Sequence, residues 1–383
     1  MANTLTNLIP DLYEALDVVS RELTGGILAV NMDNDVSRVA KDQTLRVPIT
    51  NAQTAADNTP ANTIPDTGEQ TIDNVSLTID NSRHVPIRWN GEEQRGYGSN
   101  GTLQTTLQQQ FAQAVRTLVN EIETDIASEY LRASRAYGTA GTTPFDSSLQ
   151  DAAEIKKILD DNGAPMSDRH LVVDTTAGVN MRNLTNLTQV NAAGNESLLR
   201  QGVLLPIFGM AVRESAQIQT HTAGTASSAT TDSSGYSIGD TTITLASAGT
   251  GTILAGDVIT FAGDTNKYLV VSGDDDVSDG GTITIAEPGL RQAIGTSAVA
   301  ITVVSDYTAN MGFSRNAIQL ATRLPERPQN GDLARDVTEL TDPRTGLSFE
   351  VAWYPGFREG AFHVSIAWGT KLIKPEHAAL LIG

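Results

Sequence analysis

Residues 103–134 read LQTTLQQQFAQAVRTLVNEIETDIASEYLRAS, within the longest part of the chain that lacks both glycine and proline. Apolar side chains recur there every three or four residues, the spacing that places them on one face of an α-helix. They are Leu103, Leu107, Phe111, Val115, Leu118, Ile122, Ile126 and Tyr130. At about 1.5 Å per residue, a helix over 103–134 would be roughly 48 Å long. A compact domain does not need so long a rod, so we expect it to brace something larger.

The composition excludes several classes of protein. The 383 residues leave room for two or three domains. With 45 acidic against 26 basic residues the net charge is −19, and no basic run offsets it, so nucleic acid phosphates should be repelled. The absence of cysteine excludes disulfides and thiolate sites. No apolar run approaches about eighteen residues and no basic leader opens the chain, so we expect a soluble protein made in the cytoplasm, with no membrane partner.

The chain before the helix alternates apolar and polar residues in three runs, 45–49, 75–79 and 85–89, which predict strands. The last two are expected to form a hairpin, and Pro48 and Pro86 predict edge strands. Between the first and second runs lies a long polar loop. Residues 41–100 are therefore interpreted as a projecting two-stranded arm that needs a surface to lie on.

After the helix the patterns predict further elements. Ser147, Ser148 and Asp151 are expected to cap a second helix that stops at Asn162-Gly163. A short buried strand at 171–173 leads to a helix N-capped by Asp174. Helical periodicity is expected to return at 311–324. Two long strands are then predicted at 351–354 and 361–368.

Residues 222–306 differ in composition from the rest of the chain. They are rich in Gly, Ser and Thr, and their ten acidic and two basic residues contribute −8 to the net charge. Regularly spaced β-type runs predict a small all-β barrel or sandwich inserted into another domain. The predicted strands are 242–245, 257–261, 267–271, 282–285 and 299–303.

No motif argues for chemistry. Gly96, Gly98 and Gly101 match the dinucleotide-binding spacing, but Asn90 to Arg95 separate them from the preceding strand, so a hinge is favoured over a cofactor site. The acidic run 274–280 lacks the glycine and glutamate of a calcium loop and is interpreted as a hairpin tip. The histidines are scattered: His84, His170, His221, His363 and His377. We expect no enzyme activity, no cofactor and no catalytic, cofactor-binding or metal-ligating residues.

Five segments resemble, in their order along the chain, the major capsid (coat) proteins of tailed bacteriophages, in the branch with an inserted β-domain. LTNLIPDLYEALDVVSRE at 5–22 is similar to the N-terminal arm of that branch, and GDVITFAG at 256–263 to its insert. LVVD at 171–174, which leads into a helix, is a less specific match. MGFSRNAIQLA at 311–321 resembles the strand-to-helix segment after the insert. IAWG at 366–369 with KPE at 374–376 resembles the closing strand and tail.

The resemblance implies an α+β, tailed-phage (Hong Kong 97-type) capsid fold with N-arm, extended loop, spine helix, peripheral and axial domains, plus an inserted all-β domain. The implied divisions are 1–40, the N-terminal arm; 41–102, the extended loop; 103–161, the peripheral domain with the spine helix; 162–221, the first axial part; 222–306, the inserted β-barrel or sandwich domain; 307–345, the second axial part; and 346–383, the closing strands of the peripheral domain.

The resemblance further implies a shell subunit that forms hexamers and pentamers of an icosahedral capsid around double-stranded DNA, without binding it specifically. A scaffolding protein and a portal are implied partners, with a decoration protein as a further one. The implied locations are the virion capsid and, during assembly, the cytoplasm of the bacterial host. Residues expected to serve assembly or the subunit's structure are Leu107, Phe111, Leu118, Ile122, Trp89, Phe313, Arg315 and Trp368.

One departure from the family limits how such a shell could be locked. Some members crosslink lysine and asparagine through the extended loop, but no lysine occurs here between Lys41 and Lys156. The arm is therefore expected to hold a neighbour by packing and hydrogen bonds. Two alternatives remain open: an encapsulin-type nanocompartment that encloses protein cargo, and a virion decoration or adhesin protein. The second requires 222–306 to be the only folded unit.

Overall fold

The structure is a computed structural model that describes residues 22–50, 55, 57–64, 72–98, 103–189 and 201–383. Three parts of the chain discussed above lie outside these residues: 5–21 of the segment that resembles an arm, Gly101, and much of the loop after the first predicted strand. The helices are α1 (Gly91–Gly98), α2 (Leu103–Ser128), α3 (Gln150–Asp161), α4 (Thr175–Asn183) and α5 (Thr185–Thr188).

The strands form three sheets. They are β1 (Asn31–Val39), β2 (Gln43–Thr50), β3 (Ile72–Ile79), β4 (Asn81–Asn90), β5 (Arg135–Gly138), β6 (Arg169–Val173), β7 (Met210–Glu214), β8 (Thr220–His221), β9 (Thr242–Leu245), β10 (Val258–Phe261), β11 (Lys267–Ser272), β12 (Gly281–Ile285), β13 (Ile301–Val303), β14 (Tyr307–Ser314), β15 (Ile318–Pro325), β16 (Asp336–Thr341), β17 (Ser348–Pro355), β18 (Glu359–Leu372) and β19 (Ala378–Ile382).

The first sheet is built around β18. Its order is β1-β15-β18-β17-β16, and β4 pairs with β18 as well. The ladder between β4 and β18 is antiparallel and runs from Asn81 opposite Trp368 to Asn90 opposite Glu359. No other described strand pairs with β4, so Pro86 lies on an edge strand as predicted.

The second sheet carries both the C-terminus and the 222–306 segment. Its order is β13-β10-β11-β5-β19-β14-β6-β7, with β9 and β12 attached through β11 and with β8 beside β14. The strands predicted in 222–306 are confirmed. One core cluster is built only from side chains between Ala229 and Ile301. This segment is nevertheless joined to the rest of the sheet, because Lys267 and Tyr268 pair with Ala136 and Arg135 on β5.

The long helix α2 is amphipathic as its spacing predicts and packs against β4 and β18. It is six residues shorter than predicted, since it ends at Ser128 and a 3₁₀ helix, Glu129–Arg132, follows. Its 26 residues span about 39 Å. The helix stops because residues after Ser128 form hydrogen bonds with neighbouring strands instead of continuing the helix. The Glu129 carboxylate accepts the N–H of Leu372 at 2.8 Å, and Ser134 donates its N–H to Ala378 O at 3.0 Å.

Two predictions of secondary structure are wrong. The runs at 75–79 and 85–89 do not form a hairpin, because β3 pairs with β2 while β4 finds ten partners on β18. Residues 311–324 are not helical but belong to β14 and β15, with the 3₁₀ helix Arg315–Ala317 between them. Both strands are buried on both faces, so their apolar residues do not alternate with polar ones and imitate helical spacing.

The ends of the shorter helices follow the sequence in part. Asp174 caps α4 by accepting the N–H of Ala177 and Thr176, as predicted. The end of α3 before Gly163 is also confirmed. The predicted capping box at its start is not formed, because the Asp151 carboxylate instead accepts the N–H of Phe145 at 2.6 Å.

The predicted division of the chain does not follow the sheets throughout. The range 307–345 contains β14, which lies in the second sheet, and β15 and β16, which lie in the first. The range 346–383 likewise contains β17 and β18 in the first sheet and β19 in the second. The chain therefore crosses between sheets at the 3₁₀ helices Arg315–Ala317 and Pro375–His377.

Candidate assembly surfaces

A two-stranded ribbon, β2 and β3, is anchored on the first sheet at its base. All eight residues of β2 pair with β3, from Gln43 opposite Ile79 to Thr50 opposite Ile72. Leu77 and Ile79 are fully buried against Val39, Ala321 and Ala367. This apolar contact fixes the base of the ribbon on the first sheet.

The backbone of the ribbon also lies directly on the sheet at its base. A Cβ atom on Gly369 would lie 2.1 Å from Thr78 O, so only glycine allows this approach. Lys371 Nζ donates to Ser76 O at 2.7 Å, and Asp42 N donates to Ile79 O at 2.8 Å. The base is therefore held by hydrogen bonds as well as by packing.

The outer part of the ribbon has an apolar face with little cover. Val47 lies opposite Val75, and Ile49 is two residues further out on the same face. All three side chains are only half-buried in the subunit. Because an isolated two-stranded ribbon is marginal in water, this face is a candidate contact for another molecule.

Residues 22–30, which we call the arm root, are bound to α2 through a buried carboxylate. Glu123 is 1% exposed and accepts the N–H of Gly26 at 2.6 Å and of Ile27 at 2.8 Å. Burial raises the pKa of Glu123, whereas hydrogen bonds from Ser215 and from the two amides lower it by less. The helix therefore holds the point from which the N-terminal segment departs.

A second acid fixes the arm root from its other end. Glu22 accepts hydrogen bonds from Arg116 and Asn120 of α2, and from Gln217 Nε2 at 3.2 Å. Gly25 passes so close to the end of β7 that a Cβ atom there would lie 2.5 Å from Glu214 O. The arm root thus connects α2 to the segment that follows β7.

The entry of the 222–306 segment lies at a buried polar cluster. His221 Nε2 lies 2.8 Å from Asp257 Oδ1, and its Nδ1 lies 3.0 Å from the Tyr130 hydroxyl. Asp257 is fully buried and also accepts the N–H of Gly224 at 3.0 Å and of Leu254 at 2.7 Å. Burial, and then the nearby Asp257, raises the pKa of Tyr130. The cluster binds the segment to the 3₁₀ helix Glu129–Arg132 that follows α2.

The residues predicted from the sequence to serve assembly or structure lie mostly inside the subunit. The buried ones are Phe111, Leu118, Ile122, Trp89, Phe313 and Trp368. Leu107 is half-buried against the same core. Arg315 is 37% exposed and pairs with Asp168 at 2.8 Å. The seven apolar residues thus share one core around α2, and their effect on assembly stays a prediction.

Sequence reasoning missed Glu123, although a pattern could have revealed it. An acidic residue within the apolar stripe of α2, beside Ile122 and Ile126, indicates a buried carboxylate with a dedicated partner. The contact between His221 and Asp257 had no comparable pattern, because 36 residues separate them.

The described residues show none of the metal or cofactor sites considered from the sequence. No three of their His, Asp and Glu side chains lie close enough together to hold a metal ion. Gly96 and Gly98 belong to α1, which follows the antiparallel strand β4, whereas a dinucleotide site needs a parallel strand. In the acidic run at 274–280, Asp274 and Asp276 accept backbone N–H groups within the run. Among the described residues, no helix is both long enough and apolar enough to cross a membrane.

Comparison by sequence finds no relatives: no family model matches the chain, and no curated protein does. Comparison by structure does find similar chains. A chain of the Cyanophage P-SCSP1u capsid is 11% identical with a TM-score of 0.51, over 95% of this chain and 89% of that one. A chain from Mycobacterium phage Che8 is 13% identical with a TM-score of 0.47, over 89% and 85%.

A virus-like particle from Pyrococcus furiosus contains another similar chain, 11% identical with a TM-score of 0.46, over 99% of this chain and 100% of that one. The cyanophage match is the one of these three with a TM-score above 0.5, and it extends over nearly the whole chain. At this identity the likeness concerns the fold and not the function. With its mixed sheets, long helix and anchored ribbon, the chain has the α+β, Hong Kong 97-type fold of tailed-phage capsid proteins.

Proposed function

We propose that this chain is the major capsid protein of a tailed bacteriophage and forms hexamers and pentamers of an icosahedral shell. The ribbon carries this proposal. Its base is fixed by Leu77 and Ile79, whereas Val47, Ile49 and Val75 remain half-exposed. A neighbouring copy that covered this apolar face would gain burial without rearranging the subunit core.

The division of the chain belongs to the same proposal. Residues 1–40 form the N-terminal arm and α2 the spine helix. The extended loop is proposed to be 41–80 rather than 41–102, because β4 pairs with β18 of the first sheet. The first sheet forms the peripheral domain and the second the axial domain, into which 222–306 is inserted. The sheets favour domain boundaries at the 3₁₀ helices Arg315–Ala317 and Pro375–His377 rather than at 345.

The content of the shell is proposed to be double-stranded DNA, held without specific binding. A subunit with a net charge of −19 repels phosphates, which suits a container that must later release its DNA. A scaffolding protein, a portal and a decoration protein are the proposed partners. The shell would assemble in the bacterial cytoplasm and then form the virion capsid. The decoration or adhesin alternative is not favoured, since three of the four core clusters found among the described residues lie mainly outside 222–306.

The ribbon can be tested by shortening it. Arg46 lies directly opposite Ser76, so a two-residue Asn-Gly turn in place of 47–75 would close the remaining ladder as a hairpin. Electron microscopy and sedimentation of the unaltered chain should show closed shells or capsomers. The shortened variant should fold but remain unassembled. A monomeric unaltered chain under assembly conditions, or normal shells from the variant, would contradict the proposal. Packaged enzyme instead of DNA in native particles would indicate a nanocompartment.

A further inference from the structure

Two arginines and a histidine meet on one face of the second sheet. Arg213 of β7 donates from Nε to His170 Nδ1 at 3.4 Å, and Arg315 Nη2 lies 3.3 Å from His170 Nε2. Asp168 Oδ1 lies 3.0 Å from the same Nε2, and its Oδ2 lies 2.8 Å from Arg315 Nε. The imidazole therefore sits between both guanidinium groups and one carboxylate.

The positive charges in this cluster outnumber the negative ones. Asp168 is the one carboxylate that pairs with Arg315 or His170 among the described residues, and no described carboxylate lies within 4.0 Å of Arg213. Glu214, the next residue on β7, is held by Arg182 at 2.5 Å. Arg213 is thus the arginine without an ionic partner in this part of the structure.

The surroundings make this arrangement costly in an isolated subunit. Burial, and then the charge of Arg315, lowers the pKa of Arg213. Burial also lowers the pKa of His170; the hydrogen bond with Asp168 opposes this shift, and the charges of Arg213 and Arg315 add to it. The cluster therefore holds two positive charges and one negative charge in a partly buried place.

The cluster is open to other molecules. Asp168 is 55% and Arg315 37% exposed, and no described residue accepts a hydrogen bond from the terminal nitrogens of Arg213. A guanidinium fork with two free nitrogens matches a carboxylate through two parallel hydrogen bonds. One such carboxylate would balance the charge of the cluster.

We propose that Arg213, supported by Arg315, binds a carboxylate of a neighbouring copy of this chain. The inference rests on the proposed shell function and adds one contact to it. A second copy is the favoured source because the chain has 45 acidic residues against 26 basic ones, so carboxylates far outnumber the cations available to pair with them. Arg213 would then help decide which surfaces of two subunits meet.

Carbodiimide coupling can identify the partner directly. In an R213K variant the introduced amine can form an amide with a carboxylate that it contacts. Shells assembled from mixed ¹⁴N-labelled and ¹⁵N-labelled R213K subunits should give crosslinked peptides that carry both labels. An R182K variant serves as control, because its amine should couple to Glu214 of the same chain. Crosslinks within one chain only, or none at the introduced lysine, would overturn the inference.

A charge-removing variant, R213Q, separates assembly from folding. It should melt at or above the temperature of the unaltered subunit, because a partly buried, unpaired charge is removed. The subunit concentration for half-assembly should rise by about tenfold or more. If R213Q subunits melt lower yet assemble normally, Arg213 stabilises only its own subunit and the inference fails. If the unaltered chain never assembles, the proposed function itself fails.

Discussion

The buried carboxylate of Glu123 gives the sharpest test of how the arm root is held. In E123Q the one remaining side-chain oxygen can accept only one of the two backbone N–H groups. The new NH₂ group is a donor, so it faces the other N–H and cannot accept from it. The N–H of Gly26 or of Ile27 would then lack an acceptor in a buried place. Leaving a buried donor unpaired costs about 1–3 kcal/mol. Relief of the buried charge offsets part of this, so we expect E123Q to lower the free energy of unfolding by about 2 kcal/mol at pH 7.

The pH dependence has a definite sign. Burial raises the pKa of Glu123 above its ordinary value of 4.5, so the folded subunit binds this proton more tightly than the unfolded chain. The stability contributed by this protonation is fully present below the unfolded pKa and is lost as the pH rises through the folded pKa. Glutamine does not titrate. The advantage of the unaltered subunit over E123Q should therefore be larger near pH 5 than at pH 7.

Urea unfolding of unassembled subunits at several pH values would measure both effects, and hydrogen exchange would report on the arm root. The amides of Gly26 and Ile27 should lose protection in E123Q. Glu121 provides a matched control on the same helix, because its side chain is 42% exposed and lies 3.9 Å from Arg83. E121Q should change stability by less than about 0.5 kcal/mol. Equal stability of E123Q and the unaltered subunit at pH 7, with unchanged protection of both amides, would refute the reasoning.

The remaining predictions concern the ribbon, the core and the root of 222–306. L77A should lower the free energy of unfolding by about 2–5 kcal/mol, because Leu77 is fully buried at the ribbon base. I72A, at the exposed end, should lower it by less than about 0.5 kcal/mol, and denaturant titration would compare the two variants. W368F removes the hydrogen bond from the indole to Asp125 at 2.6 Å and should cost about 1.5–3 kcal/mol; calorimetry would detect the loss, and unchanged melting would contradict it. Y130F should lower the free energy of unfolding by about 1 kcal/mol and speed proteolysis of 222–306, because it removes the contact with His221. Equal cleavage rates would show that this contact does not hold the segment in place.

Local patterns in the sequence were enough to predict most individual helices and strands. The apolar stripe from Leu103 to Ile126 predicted α2, and the β-type runs in 222–306 predicted five strands at nearly their observed limits. Failures occurred where burial hid the pattern. In β14 and β15 both faces are covered, so apolar residues show no alternation and resemble a helix.

Pairing between elements was much less accessible from the sequence. The closeness of the runs 75–79 and 85–89 in sequence suggested a hairpin, but β4 instead pairs with β18 over ten residues. The candidate surfaces show the same limit. Glu123 was missed although it lies on an apolar stripe where it could have been recognised, whereas the meeting of Arg213, His170 and Arg315 joins positions far apart in the chain. Nothing local marks such a cluster.

By itself the sequence determined the long amphipathic helix, the strands before it, the β-rich segment at 222–306 and a strongly acidic subunit, because periodicity, turn residues and charge are local properties. The tertiary structure alone decided that β4 lies on β18, that α2 ends at Ser128, and that a carboxylate of α2 holds the arm root. The reason is physical: backbone donors and buried charges must find partners, and which partner is available depends on segments hundreds of residues away.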